Sequence, residues 1–229
     1  MLALIQARLS SVRLPKKVLR KIGEKTILEH CHQRVSLATG VSKIVVCTSV
    51  DDSDKEIAKF CKKKQWNVAT GSLNDVGLRL STIAKQERQC SFLRISADSP
   101  FIDPQIIDTA ILLSKSKMFD LVTNIFPRSF PKGQSVEIIR TEALYSICKN
   151  NCTKEQKEHV TSYFYDNSDK FKIISFQSGG CFENSNHSVD EMSDLRWAKM
   201  IEEKTEYSNL SWQEIESVSS AYKFSEFEE

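Results

Sequence analysis

Residues 2–19 read LALIQARLSSVRLPKKVL, and this stretch decides the fold of the 229-residue chain. Its first residues, Leu2 to Ile5, are apolar and predict a short buried strand. The residues that follow are polar and basic and include Pro15, so they predict a loop. In open α/β sheets, ligands bind beyond the carboxyl ends of the strands. The loop is therefore placed where a ligand would bind.

Positive charge is concentrated just after this first strand, although the net charge of the chain is only +2. Between Arg8 and Lys25 there are seven Lys or Arg residues and a single acid, Glu24. Guanidinium forks, hydroxyl groups and backbone N–H groups in such a loop suit a phosphate chain. Charge alone is equally consistent with a solvated basic loop.

The first half of the chain alternates between strand and helix patterns. Strands are predicted at 2–5, 43–48, 66–69 and 91–95, and helices at 26–38, from Ser53 to Lys64, from Ser72 or Asn74 to about Gln89, and at 104–115. Ser53 and Glu56 have the spacing of a capping box. This β-α-β-α order predicts a parallel sheet with right-handed crossovers.

After Asp120 the alternation gives way to a mixed pattern. Strands are predicted at 121–124, 136–139 and 171–176, and helices at 141–149, at 191–203 and at 211–222. A further helix is predicted to begin at the capping box of Thr153 and Gln156 and to carry His159, Tyr163 and Phe164.

Composition excludes several classes of protein. No apolar run approaches the roughly 20 residues that span a bilayer, and no signal stretch opens the chain. The seven cysteines are scattered, odd in number and without a C-x-x-C pair, so we expect reduced thiols and a cytoplasmic protein. The near-neutral charge without an extended basic face argues against a nucleic-acid partner.

The opening QARLSSVRLPKKVL resembles the pattern Q-A-R-x-x-S-T-R-L-P-G-K-V-L of cytidylyltransferases of the spore-coat polysaccharide biosynthesis protein F type. These enzymes are relatives of those that make CMP-Kdo and CMP-sialic acid. RISADSP at 94–100 resembles R-I-T-G-D-C-P, and VDEMSDL at 189–195 resembles V-D-T-x-x-D-L. Lys16 and Ala97 stand where the family has glycines. The resemblance extends from Leu2 to Leu195.

The resemblance implies a fold and a domain organisation. The fold is the three-layer α/β/α nucleotide-diphospho-sugar transferase fold, Rossmann-like and of the GT-A type, with a mixed, mainly parallel sheet. The single domain would comprise a nucleotide-binding half, 1–117, and an acceptor-binding half, 118–229. An arm at about 124–172 would make a homodimer.

The resemblance also implies which residues contact the nucleotide. TGSLNDVGLR at 70–79 resembles G-S-x-x-D-V-L-x-R-Y, which implies base recognition, although a turn at Gly71 and a cap at Ser72 are equally consistent. Catalytic contacts to the triphosphate would come from Arg8, Arg13 and Lys17, which stabilise the leaving pyrophosphate. The full implied set is Gln6, Ala7, Arg8, Ser11, Arg13, Lys17, Gly71, Ser72, Asp75 and Arg79.

Two acids are candidates for a metal site. Asp98 comes just beyond a predicted strand, where one carboxylate can help to hold a hard cation. Asp190 lies ninety-two residues later. Taken singly, each Asp also fits a helix cap or a solvated loop acid. By resemblance, the pair would be catalytic and would bind Mg²⁺ against the α-phosphate.

The acceptor side is marked by two further resemblances. KGQSVE at 132–137 resembles R-G-L-D-V-E, with Ser135 in place of the aspartate, and KEHVT at 157–161 resembles R-E-H-V-T. They imply that Arg94, Glu137 and His159 contact the acceptor. Two other interpretations remain open: Arg94 and Glu137 could pair with each other, and a lone histidine on a helix could be structural.

The implied reaction transfers CMP from CTP to an acidic sugar or a phosphorylated small molecule and releases pyrophosphate, for surface polysaccharide synthesis. Two alternatives remain. A glycosyltransferase of the same fold would use a nucleotide-sugar and usually carries a D-x-D motif at the metal, whereas Ser-Ala-Asp98-Ser follows the predicted strand at 91–95 here. A non-catalytic nucleotide-binding relative would bind without turnover.

Overall fold

The predicted strands assemble into one sheet in the computed structural model, which describes residues 1–116, 118–149, 152–204 and 210–225. Lys117, the expected boundary between the halves, and residues 150–151 of the expected arm lie outside the described residues. The nine strands are β1 Leu2–Gln6, β2 Lys21–Ile22, β3 Lys25–Thr26, β4 Lys43–Ser49, β5 Asn67–Gly71, β6 Ser91–Ser96, β7 Leu121–Thr123, β8 Glu137–Arg140 and β9 Ile173–Ser175.

Seven of these strands form the main sheet in the order β5-β4-β1-β6-β8-β7-β9, while β2 and β3 form a small antiparallel pair. β1 lies between β4 and β6 and runs parallel to both. Only β8 runs against its neighbours, and its register sets Glu137 opposite Arg94. The predicted mixed, mainly parallel sheet is confirmed.

Helices cover both faces of the sheet. They are α1 Ile27–Ser36, α2 Lys55–Lys63, α3 Val76–Gln86, α4 Pro104–Ser116, α5 Thr141–Lys149, α6 Lys154–Glu158, α7 Ser162–Asp166, α8 Met192–Lys204 and α9 Trp212–Ser225. Along β1, Ala3 and Ile5 pack into a core with α1, α2 and α4, whereas Leu2 and Leu4 pack into a second core with α3 and α5. The predicted three-layer α/β/α sandwich is thereby confirmed.

Two predicted helix starts are wrong. Ser53 does not cap α2, because both its N–H and its hydroxyl donate to the Asp51 carboxylate, at 2.9 and 2.6 Å, within a short 3₁₀ turn. The helix α2 then begins at Lys55. Neither Ser72 nor Asn74 caps α3; the cap is Asp75, whose carboxylate accepts the Leu78 N–H at 2.8 Å.

The predicted helix after Thr153 is interrupted. Its capping box with Gln156 is present, but α6 ends at Glu158 and His159 leaves helical geometry, with φ −94° and ψ 80°. A tertiary contact accompanies the break: the Thr161 hydroxyl donates to buried Glu137 at 2.6 Å. Among the helices that the structure describes, none combines the length and apolar character that crossing a membrane requires.

Candidate active site

A cavity of about 330 Å³ opens where β1 and β6 end. Three segments form it: the loop after β1, the turn after β6 and the turn that leads into α8. Its lining residues are Gln6, Arg8, Ser10, Ser11, Val12, Arg13, Lys17, Val18, Ser96, Asp98 and Asp190. The fold therefore brings together seven residues that the sequence analysis assigns to the nucleotide and the metal: Gln6, Arg8, Ser11, Arg13, Lys17, Asp98 and Asp190.

Lys17 joins the two predicted metal ligands. Its ammonium lies 2.5 Å from Asp98 Oδ2 and 2.6 Å from Asp190 Oδ1, and its side chain is only 12% exposed. Burial alone would lower the pKa of Lys17, but the two carboxylates outweigh burial and hold this pKa above its ordinary value. The Val189 N–H donates to the Asp98 carbonyl at 2.9 Å and so fixes the two turns to each other.

Asp194 positions the second acid, a role that the sequence analysis does not assign. Its Oδ2 accepts the N–H groups of Asp190 and Glu191, at 2.8 and 2.9 Å. The Asn186 amide donates to its other oxygen at 2.9 Å. The sequence signal is the second aspartate of VDEMSDL, four residues after the first.

Asp54 anchors the start of the basic loop after β1 and is a second residue that the sequence analysis does not assign. Its side chain is buried, accepting the Leu9 N–H at 2.7 Å and the Ser49 hydroxyl at 2.5 Å. A buried carboxylate with two donors is a rigid support. The only sequence signal is an acid after β4 in the run DDSD, in which three acids are alternatives.

Lys16 occupies the left-handed region, with φ 57° and ψ 27°. This is the position at which the family pattern has glycine, the residue that adopts this conformation at least cost. The Lys16 ammonium lies 2.6 Å from Glu56 on α2, and both side chains are more than half exposed. Lys16 therefore ties the outside of the loop to α2.

The residues predicted to recognise the base support one another beside the cavity. The Asp75 N–H donates to the Ser72 hydroxyl at 3.1 Å, and Arg79 Nη1 donates to the Ser72 carbonyl. A Cβ on Gly71 would lie 2.8 Å from Arg79 Cγ. None of these four lines the cavity. Nor does Ala7, which is buried and donates its N–H to the Cys47 carbonyl at 3.0 Å.

Two of the three predicted acceptor residues contact each other. Arg94 pairs with Glu137, as one interpretation of the sequence proposed, and its Nε donates to Gln6 Oε1 at 3.1 Å. Glu137 also accepts the hydroxyl groups of Thr161 and Tyr165, each at 2.6 Å. His159 lies exposed in the turn after α6 and is not among the residues that line the cavity.

A basic loop and two carboxylates at the carboxyl ends of a mainly parallel sheet define a nucleotide-binding α/β enzyme. The comparisons specify the class further. A family described as cytidylyltransferase matches residues 2–217. The chain belongs to this cytidylyltransferase family and is a CTP-dependent nucleotidyltransferase.

Similar proteins cover most of the chain. Uncharacterized protein MJ1063 of Methanocaldococcus jannaschii is 33% identical over 173 residues, which are 76% of this chain and 70% of the relative. Spore coat polysaccharide biosynthesis protein SpsF of Bacillus subtilis is 26% identical over 210 residues, 89% of this chain and 86% of the relative. The solved structure of a cytidylyltransferase from Leptospira borgpetersenii has a TM-score of 0.91 at 26% identity and covers 96% of this chain and 94% of its own. The resemblance to the spore-coat protein F type is confirmed.

Proposed function

We propose that this enzyme transfers CMP from CTP to an acidic sugar or a phosphorylated small molecule and releases pyrophosphate. The observation that carries the proposal is the single cavity that gathers Arg8, Arg13, Lys17 and two carboxylates. The three cations can bind the oxygens of a triphosphate, and guanidinium groups bind phosphate oxygens in pairs. As pyrophosphate leaves, these cations would stabilise the charge that develops on it.

Asp98 and Asp190 fit a divalent cation such as Mg²⁺. Both carboxylates already converge on one positive charge, the Lys17 ammonium, which acts as a stand-in ion between them. Among the described residues no group of three or more His, Cys, Asp or Glu could hold a metal. Two carboxylates with phosphate and water oxygens suit Mg²⁺, which keeps several such ligands. Bound there, Mg²⁺ would neutralise phosphate charge and orient the attacking oxygen.

The chain's own residues supply positioning. Asp194 and the Val189–Asp98 hydrogen bond hold the two acids in place, and Asp54 holds the start of the loop. Lys17 is protonated at neutral pH, because the ordinary pKa of a lysine is about 10.4, and its two acid partners raise this pKa further. It can therefore donate to phosphate oxygens whenever it leaves the carboxylates.

The remaining roles follow the resemblance. Gly71, Ser72, Asp75 and Arg79 would shape the contact to cytosine, while Arg94, Glu137 and His159 would lie toward the acceptor. We also propose the division into nucleotide-binding and acceptor-binding halves, a homodimer through the arm at about 124–172, and a cytoplasmic role in surface polysaccharide synthesis. The protein name of the Bacillus subtilis relative supports this last role.

Thermal unfolding tests the nucleotide assignment. We would measure it with CTP, UTP, ATP, GTP and dTTP, each with and without Mg²⁺. A ligand at 100 times its Kd adds about 2.7 kcal/mol to stability. We expect selective stabilisation by CTP with Mg²⁺, followed by pyrophosphate release when acidic sugars are added. Stabilisation by a nucleotide-sugar and by no triphosphate would instead favour the glycosyltransferase.

A further inference from the structure

We infer that Arg128 binds the acidic group of the acceptor, in a subsite that this chain leaves without a neutralising acid by carrying Ser135. Arg128 lies in the connection between β7 and β8 and forms an isolated bridge with Ile125. Its Nη2 donates to the Ser135 hydroxyl at 3.1 Å. Its Nη1 is buried and has no hydrogen-bond partner among the described residues. A buried donor without a partner costs free energy that a bound oxygen would recover.

The charges around Arg128 do not balance. Two guanidinium groups, those of Arg94 and Arg128, act on one carboxylate, that of Glu137, and only Arg94 is paired with it. Tyr165 adds no negative charge, because burial and the nearby Glu137 raise its pKa far above the ordinary value. Burial lowers the pKa of Arg128, but Glu137 opposes this, and a guanidinium stays charged in proteins. The cluster therefore carries one excess positive charge.

The family pattern supplies a reason for this excess. Where KGQSVE stands, the resembled pattern has R-G-L-D-V-E, with an aspartate at the position of Ser135. A carboxylate there would face Arg128 and neutralise it. The Ser135 hydroxyl gives Arg128 a hydrogen bond without a charge. In this chain the neutralising charge must come from a ligand, which identifies that ligand as an anion.

The subsite adjoins the cavity. The antiparallel register sets Glu137 opposite Arg94, and the Glu137 carboxylate acts electrostatically on Arg128. Arg94 in turn donates a hydrogen bond to Gln6, which lines the cavity. An acceptor bound with its anionic group at Arg128 would thus lie beside the reacting end of the cavity. Its assignment as acceptor rests on the proposed function, whereas the anion site itself does not.

Three variants test the subsite: R128M, S135D and, as the uncharged isostere of the latter, S135N. Binding is measured by calorimetry without nucleotide, using two carboxylate probes (Kdo and N-acetylneuraminate), a phosphate probe (glycerol 3-phosphate) and a neutral probe (N-acetylmannosamine). We expect the wild type to bind one of the two classes of acid and not the neutral sugar. R128M should weaken this binding about tenfold or more, and S135D should weaken it about tenfold more than S135N.

Comparing the carboxylate probes with the phosphate probe identifies the acidic group of the acceptor. The class that binds more tightly shows whether this group is a carboxylate or a phosphate. Thermal unfolding of each variant confirms that it folds. If no acid binds wild type more tightly than S135D and R128M, the inference is wrong. Stabilisation of all four proteins by CTP with Mg²⁺ is a separate readout. If CTP does not stabilise the wild type, the proposed function is wrong, but an anion site that depends on Arg128 would still be supported by the binding data.

Discussion

The proposed nucleotide end and the proposed acceptor end of the site satisfy their charges in opposite ways. At the nucleotide end, Lys17 bridges two acids and Arg13 is 67% exposed, 3.6 Å from Asp190. At the acceptor end, Glu137 is 2% exposed and accepts hydrogen bonds from Arg94, Thr161 and Tyr165. At the nucleotide end, Lys17 and Arg13 can leave the carboxylates and contact phosphate, and a metal ion can take their place. The hydrogen-bond partners of Glu137 are buried or half-buried and stay in place. The difference indicates that one end rearranges on binding while the other is a fixed template.

The largest effect should come from the exchangeable end. We expect D98N to lower kcat by roughly 10³-fold or more, because the substitution removes a charge that stabilises the transition state. The affinity for CTP should change far less, since Arg8, Arg13 and Lys17 remain. Pyrophosphate release and calorimetry measure the two quantities. D52N is the matched control, because Asp52 is 88% exposed and does not line the cavity, so both quantities should stay unchanged. Equal loss of turnover and CTP affinity in D98N would contradict the exchange described above.

A substitution at the acceptor end should mainly lower the free energy of unfolding. Removing Glu137 in E137A leaves Arg94 partly buried without its partner, so we expect the free energy of unfolding to fall by about 3–5 kcal/mol. Urea denaturation measures the change. E142A provides the comparison, because the exposed Glu142–Lys85 pair should contribute about 1 kcal/mol or less. A loss in E137A no larger than that in E142A would show that the acceptor end is not a rigid template.

The smallest effect concerns the backbone of the loop itself. A non-glycine residue in the left-handed region costs about 1 kcal/mol or more, so K16G should unfold with a free energy about 1 kcal/mol above that of K16A. Both variants lack the Glu56 ion pair, so their difference isolates the backbone. E56Q measures the pair separately, and we expect a change of about 0–1 kcal/mol. Equal stability of K16G and K16A would mean that Lys16 is unstrained.

Local patterns predicted most of the architecture. The apolar run from Leu2 to Ile5 and the strand–helix alternation after it predicted the parallel part of the sheet, because period and β-branching are local properties. The metal pair was predictable only through the resemblance, since nothing local links Asp98 to Asp190. Their approach depends on the Val189–Asp98 hydrogen bond, which exists only in the folded chain.

The parts that sequence reasoning missed are those set by tertiary contacts. The helix after Thr153 ends close to Thr161, whose hydroxyl donates to the Glu137 carboxylate on β8. The spacing of apolar residues in the sequence does not predict this contact. The role of Asp54 could not be predicted, because Asp51 and Asp52 are the same residue type and only burial in the folded chain distinguishes Asp54 from them. The pairing of Arg94 with Glu137 was one of two open interpretations, because choosing it requires the register of β6 and β8, which sequence spacing does not give.

The hydrogen bond between Val189 and Asp98 also has a consequence for the timing of activity during synthesis. It joins a turn in the first half of the chain to one in the second half, and the N-terminal segments leave the ribosome first. A nascent chain that has not reached Asp190 carries the basic loop and only one of the two acids. If catalysis needs both acids, as proposed, it cannot begin before synthesis has passed Asp190, and products truncated before that residue should be inactive.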